Sequence, residues 1–583
     1  MSLFNSLLQG LLAISVGPVV EPTFGRVDGY AYDAVTQNLI VQGWVCQRNN
    51  ASAIDVHIYA GGPLPAGTLV AYQSPANGPP EYGESFPGCG GNTRRFAVPI
   101  TPAMRTTYAG QTLYAYAYPA GSNWPLLDGS GELRVPHRIS AAIGDGVTDD
   151  TDTINSEIAL GGVTYVPRNA VGKNYLVTDR CIVPGCETSP SVTNKDRRVL
   201  LITNTGASPA PVEVILDGTL FLASQTNSGS TGVVPADTRQ IGVIQVADNS
   251  KNVTISGRGV IDGNRVNQDE CCIGGVVAGG PTLGPYSTGI QNLTVRGLTI
   301  RNTYNWPVSI DGADGVTLRD LKIIDGGNSV QFAHGTTNAH AYNLRVEDIR
   351  DIGFAFYNNV SHSSIENSTV QNSDGAGIGV LSDDPLPADV GKPLSHHITI
   401  SGNQVHRSRG GVETLNANTS GGFTSMFSNV TINSNKVYGS LMHNYGVNSC
   451  LNCSVTGNLS EGSGTGGKDI TQIGRYLSGL FLSESQNVSI SNNTFSNEGQ
   501  GEGGIGYGAI LYPDANDNTP LTPGNDIATS GITFSGNTFV DLQATGTMAG
   551  RVSQSPPTPV VYSISNSTDC GVLAPPYTCV NVP

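Results

Sequence analysis

Gly353-Phe354-Ala355-Phe356, Gly377-Ile378-Gly379-Val380 and Gly411-Val412-Glu413-Thr414 share one form: a glycine, an apolar residue, a free position, and a second inward-type residue. Gly479-Leu480-Phe481-Leu482 repeats it, and Pro307, Ser329 and Asn444 open related stretches. The openings fall at 307, 329, 353, 377, 411, 444 and 479, so they are 22, 24, 24, 34, 33 and 35 residues apart. Alternation predicts short strands, and a period of 22 to 24 residues predicts a solenoid. The longer spacings predict loops inserted on later coils. A second series opens another strand: Asn252-Val253-Thr254-Ile255, Asn292-Leu293-Thr294-Val295, Asn429-Val430-Thr431-Ile432 and Asn487-Val488-Ser489-Ile490. Together they predict parallel strands stacked about 4.8 Å apart, with Val, Ile and Leu inside and Asn at the turns.

Composition agrees. The chain has 583 residues, 74 of them Gly, with 13% charged and a net charge of −16. Nucleic-acid binding is excluded as an expectation, because phosphate contacts need clustered Lys and Arg. No run of 18 apolar residues predicts a membrane span. We divide the chain into residues 1–23, a weak signal or docking segment; 24–135, an accessory β module; 138–560, the solenoid; and 561–583, a C-terminal tail. The first segment has no Lys or Arg before Arg26, so it lacks the basic start of a secretory signal.

The accessory module has strand-like runs at Leu39-Ile40-Val41, Ile54 to Tyr59 and Leu113 to Tyr118, broken by Gly61-Gly62-Pro63 and Gly78-Pro79-Pro80. About 110 residues suits a small sandwich. Its Gly25-Arg26-Val27-Asp28-Gly29 and Gly43-Trp44-Val45 resemble accessory modules of extracellular bacterial proteins. Trp44, Tyr30 and Tyr32 are either core residues or platforms for sugar rings. Ten Cys, several in local pairs such as Cys181/Cys186, Cys450/Cys453 and Cys570/Cys579, predict disulfides and an oxidising compartment. The alternative of zinc on Cys450, Cys453 and His443 lacks a second CxxC.

Gly144-Asp145-Gly146-Val147-Thr148-Asp149-Asp150-Thr151 precedes a short predicted helix to Leu160 and then Gly161-Gly162-Val163-Thr164-Tyr165-Val166-Pro167. This stretch resembles the opening of right-handed parallel β-helix proteins of the pectate-lyase-like superfamily, which includes polygalacturonases, pectate lyases and phage tailspikes. The resemblance spans roughly residues 138 to 545. Asp149 or Asp150 is expected to cap the helix, and the helix to cover the open end of the first coil. Gly257 to Gly263 is similar to a coil-and-turn segment of polygalacturonases. The catalytic pattern of that family does not carry over. Gly326-Gly327-Asn328-Ser329 stands where Asn-Thr-Asp belongs, Arg350-Asp351-Ile352-Gly353 has one Asp for two, and Ser373-Asp374-Gly375-Ala376-Gly377 lacks the His.

The site is therefore read from columns. The free position of each strand faces outward, which aligns Ser309, Gln331, Ala355, Gly379, Glu413, Gly446 and Phe481. Asp311, Ala333, Tyr357 and Leu381 follow the strands; Asp351, Asp374 and Arg409 precede them. Asp351, Asp374 and Glu413 are the candidate catalytic carboxyls, on successive coils and within the separations that glycosidases use. Gln331, His334, Tyr357 and Arg409 are candidate substrate contacts, with Asp383 and Asp384 at the rim. Asp311, Asp320 and Asp325 are read as turn residues, and His334 and His443 as structural or rim histidines rather than catalysts.

The expected function is cleavage of an extracellular or cell-surface polysaccharide by paired carboxyls, as a glycoside hydrolase. Two alternatives stand. A polysaccharide lyase would use a base and a Ca²⁺ or Arg. A tailspike or adhesin would bind surface glycan as a homotrimer. No cofactor is expected apart from Ca²⁺ in the lyase case, and the place is extracellular or on a virion.

Overall fold

The computed structural model describes residues 23–47, 54–76, 94–119, 124–168, 174–178, 197–224, 241–268, 273–279, 288–382, 394–416, 426–463, 478–496, 507–512 and 529–540, with Gly78, Cys89 and the short strands 180–181, 563–565 and 580–581. Residues 1–22, most of 561–583, Asp383, Asp384, Cys186, Cys271, Cys272, Cys570 and Cys579 lie outside them. The chain divides into two compact units, 1–139 and 140–583.

The first unit holds two three-stranded antiparallel sheets. One runs Thr23–Asp33, Asn38–Gln47, Arg94–Ile100; the other runs Thr68–Ala76, Ile54–Ala60, Leu113–Tyr118. Alternate residues Leu39, Val41, Val56, Ile58, Phe96 and Val98 are buried, as a β-sandwich-like module requires. Cys46 and Cys89 form a disulfide. Trp44 is buried beside it, edge-on to Phe24 at 6.0 Å. Tyr30 is buried too, and its hydroxyl donates to the Arg134 carbonyl. Both therefore take the core alternative and are withdrawn as sugar platforms.

The second unit is a right-handed parallel β-helix. Each coil contributes three strands, as in Gln291–Arg296, Thr299–Arg301 and Val308–Asp311. Each pairs in parallel with its counterpart on the next coil: Leu293 with Val316, Ile300 with Ile323, Val308 with Val330. Right-handed crossovers are what right-twisted parallel strands impose. The inward residues form one continuous core, from Ile154 and Val166 through Phe332, Phe354 and Phe356 to Phe534.

Two local features explain the repeat. The glycine that opens the third strand is a close-packing residue. A Cβ on Gly377 would lie 2.3 Å from Val405 Cγ1, and one on Gly411 would lie 2.1 Å from the Asn444 carbonyl oxygen. At the start of the first strand, Asn252, Asn292, Asn338, Asn429, Asn452 and Asn487 are left-handed, with φ between 51° and 56°. Asn accepts that conformation more readily than most residues.

The helix Thr151–Ala159 covers the first coil, with Ile154 and Ile158 buried. The capping expectation holds for Asp149 and not for Asp150. Asp150 occupies the N-cap position, but its side chain makes no cap bond. Its carboxylate instead accepts from the Ile143 and Gly144 amides and closes the preceding loop. Burial pushes its pKa above the ordinary value. Asp149 accepts from the Thr151 amide. These acids are structural, as the spacing implied.

Candidate active site

The outward column aligns residue by residue. Backbone pairing runs Ser309–Gln331–Ala355–Gly379–Glu413–Gly446–Phe481, and beside it Asp311–Ala333–Tyr357–Leu381–Leu415. The column is less open than its outward position suggests. Ser309, Gln331, Ala355 and Glu413 are all buried, because side chains outside the coil pack over it. Trp306, Ala355 and Leu381 form an apolar cluster there, with Ile352, Tyr357 and Leu415 against it.

Glu413 sits in a notch made by glycines. A Cβ at Gly410 would lie 2.9 Å from its Oε2, and one at Gly446 would lie 2.9 Å from its Cβ and 2.6 Å from His443 Nε2. In that space His443 Nε2 and Glu413 Oε2 approach to 2.8 Å. Both side chains are buried, and the imidazole packs over Phe481 at 5.8 Å. His443 Nδ1 is buried without a hydrogen-bond partner. A desolvated carboxyl on an imidazole is suited to give or take a proton, with the direction set by which group holds it. His443 is thus buried rather than at a rim, which leaves the structural half of the expectation standing.

A second polar group lies two and more coils away. Gln331 Nε2 donates to Ser309 Oγ (2.6 Å), and Ser309 Oγ donates to Asp311 Oδ2 (3.1 Å). His334 Nε2 is 4.0 Å from Asp311 Oδ1, and its ring meets Tyr357 edge-on at 5.9 Å. Two of the candidate substrate contacts thus connect to Asp311, Gln331 through Ser309 and His334 directly, with Tyr357 against His334; sequence reading had set Asp311 aside as a turn residue.

The preceding turns form a third group. The Gly375 amide donates to the Asp351 carbonyl (2.8 Å), and the Met442 amide to that of Arg409 (2.9 Å). Ser373 pairs with Ser408 on the next coil. Asp351, Asp374 and Arg409 are thus on neighbouring turns, all exposed. The seven candidates fall into three separate groups: Glu413 in a buried dyad, Gln331, His334 and Tyr357 in a polar cluster, and Asp351, Asp374 and Arg409 on an exposed turn ladder.

Cys450 and Cys453 are joined as a disulfide, which removes them as zinc ligands with His443. On the accessory module the exposed aromatics are others than expected. Tyr118 stacks on His57 at 3.8 Å and on Trp124 at 4.2 Å, with Tyr72 on the other side of His57. Trp124 and Tyr72 are more than half exposed. Only the alternation of Tyr114, Tyr116 and Tyr118 signalled this row.

Stacked parallel ladders of short strands with Asn at the corners define the larger unit as a parallel β-helix. No protein-family model matches the chain, and no curated protein matches it. Among solved structures it is similar to the A-module of a mannuronan C-5 epimerase from Azotobacter vinelandii, at 16% identity and a TM-score of 0.49, over 74% of this chain and all of that one. It is similar to a mutant tailspike protein of E. coli bacteriophage HK620 in complex with a hexasaccharide, at 13% identity and a TM-score of 0.46, over 72% of each chain. It is also similar to an endo-xylogalacturonan hydrolase from Aspergillus tubingensis, at 17% identity and a TM-score of 0.45, over 76% of this chain and 98% of that one. Likeness at these identities concerns the fold.

Proposed function

We propose that the chain is a polysaccharide-processing enzyme that hydrolyses glycosidic bonds of an extracellular or cell-surface glycan, free or as part of a virion. The observation that carries this reading is the buried Glu413–His443 pair at 2.8 Å on the outward face of a β-helix. An outward Glu in mid-strand has poor strand propensity, and two neighbouring glycine positions, Gly410 and Gly446, are kept clear around it and its histidine. Nothing in the packing of a coil asks for that arrangement.

In this mechanism Glu413 gives its proton to the glycosidic oxygen as the bond from that oxygen to the anomeric carbon breaks. Asp351 or Asp374 supplies the second carboxyl. It either takes a proton from the water that attacks the anomeric carbon, or attacks that carbon itself and is later displaced by water. Gln331, His334 and Tyr357 hold sugar hydroxyls, and Arg409 holds a hydroxyl or an acidic group. The neighbours, a mannuronan C-5 epimerase, a tailspike in complex with a hexasaccharide and an endo-xylogalacturonan hydrolase, are compatible with a polymeric sugar as ligand.

The test is reducing-end release from a pooled set of bacterial and plant polysaccharides, with Glu413→Gln and Asp351→Asn. Loss of release in both, with unchanged circular dichroism, supports the assignment; full activity in both refutes it. Products that absorb in the ultraviolet would reveal an unsaturated sugar and replace hydrolysis with β-elimination. A stable monomer in sedimentation would count against the tailspike form.

A further inference from the structure

The left-handed corner at the start of the first strand is occupied in register by Asn338, His362, His397, Asn429 and Asn452 on consecutive coils. The two histidines have φ of 51° and 55°, the same as the asparagines they replace. The residue before each corner residue is Thr337, Ser361, His396, Ser428 and Leu451 in the same order. Two adjacent coils therefore depart from the column at three positions, and all three departures are to histidine. The side chains meet. His396 Nδ1 and His397 Nδ1 are 2.8 Å apart, and the His362 and His397 rings stack at 4.7 Å with 7° between planes. One nitrogen from each ring lies within 4.8 Å of the other two.

We propose that His362, His396 and His397 form a binding site for a divalent transition-metal ion of the zinc, copper or nickel class. Imidazole nitrogen suits these ions, whereas Ca²⁺ and Mg²⁺ take oxygen. Tetrahedral coordination at 2.0–2.1 Å sets donor nitrogens about 3.3 Å apart, close to the spacing of the two Nδ1 atoms. Exposed His362 turns about its ring torsion to aim its lone pair at the same point, and water fills the remaining position. A metal needs neutral imidazole. The ion would join two coils whose ligands are 35 positions apart in sequence, where the spacing of coils first lengthens. Its role is that of a staple, in a different sheet from the outward column.

The column supplies the controls. His362→Asn and His397→Asn install the residue that neighbouring coils carry at that φ, and His396→Ser installs the residue of both flanking coils, so the variants keep the fold. The experiment is calorimetric titration of the full chain, stripped with chelator and free of any histidine tag, with Zn²⁺, Ni²⁺, Ca²⁺ and Mg²⁺, alongside thermal melting. We expect one Zn²⁺ or Ni²⁺ per chain, a raised melting temperature, and no response to Ca²⁺ or Mg²⁺. The His362→Asn/His397→Asn variant should melt like metal-free wild type and bind Zn²⁺ at least about tenfold more weakly. Cu²⁺ bound to wild type should show nitrogen hyperfine structure that the double variant loses. Absence of Zn²⁺ binding up to about 1 mM, or equal affinity and stoichiometry in the double variant, would overturn the proposal.

Discussion

Two columns of side chains run along the β-helix and obey opposite rules. Inside, Asn403, Asn435, Asn458, Asn493 and Asn537 repeat one residue on successive coils. The side-chain amide of each of the first four donates to the next Asn Oδ1 at 2.9–3.1 Å and to a backbone carbonyl beside it. Outside, the column Ser309–Gln331–Ala355–Gly379–Glu413–Gly446–Phe481 changes chemistry at every step. The inner column repeats because every coil turns the same corner and must satisfy the same buried polar groups. The outer column has no shared demand to meet. Variation there records a local purpose, and the most costly residue in it, a buried Glu on a buried His, marks the candidate chemistry.

That contrast can be broken most decisively at Glu413. Glu413→Gln should lower kcat by about 10³-fold, about 4 kcal/mol of transition-state stabilisation, while the melting temperature stays put. A large loss of stability with retained activity would reverse the roles of the two columns. Asn435→Ala should do the opposite. It leaves the Ile400 carbonyl and the Asn403 amide groups without their partner, so urea unfolding should show a loss of about 3 kcal/mol with KM unchanged. Gly446→Ala sharpens the comparison further. Its methyl group must displace His443 or Glu413, and steady-state kinetics should show about a tenfold fall in kcat for a smaller loss of stability. The smallest effect belongs to His406, stacked on Tyr438 at 4.8 Å. Burial first, and Arg407 second, lower its pKa from 6.5. The unfolded chain therefore binds the proton at a higher pH than the folded one, and the stabilising contribution is lost as pH falls from 6.5 through the lowered value. His406→Asn should flatten a shallow decline in melting temperature over that interval.

Sequence periodicity carried much of the fold because a coil solves one packing problem repeatedly. The spacings from 307 to 479 placed the whole outward column in its observed register, since period-two alternation and glycine clearance leave no other alignment. Contacts made across coils by side chains from turns were less legible. His443 opens its strand, His443–Asn448, and reaches Glu413 on the previous coil through the space that Gly446 leaves, which no linear spacing announces. Asp311 reads as a turn residue until His334, one coil later, stands beside it. Asp150 has the spacing of a cap but finds nearer amides at Ile143 and Gly144. Trp44 was ambiguous because flanking Val and Cys do not say which face of its sheet is covered; the Cys46–Cys89 bridge settles it.

The left-handed corners also bear on how such a chain can change length. Removing a single residue from a strand would carry every later side chain in it to the opposite face and move the corner off an asparagine. Deleting a complete turn of about 23 residues, from one corner Asn to the next, would leave both flanking strands with equivalent partners and shorten the molecule by about 4.8 Å. Insertions and deletions in natural variants should accordingly come either as whole coils or as loops placed between corners, where the increased spacings after 377 already show that additions are accommodated.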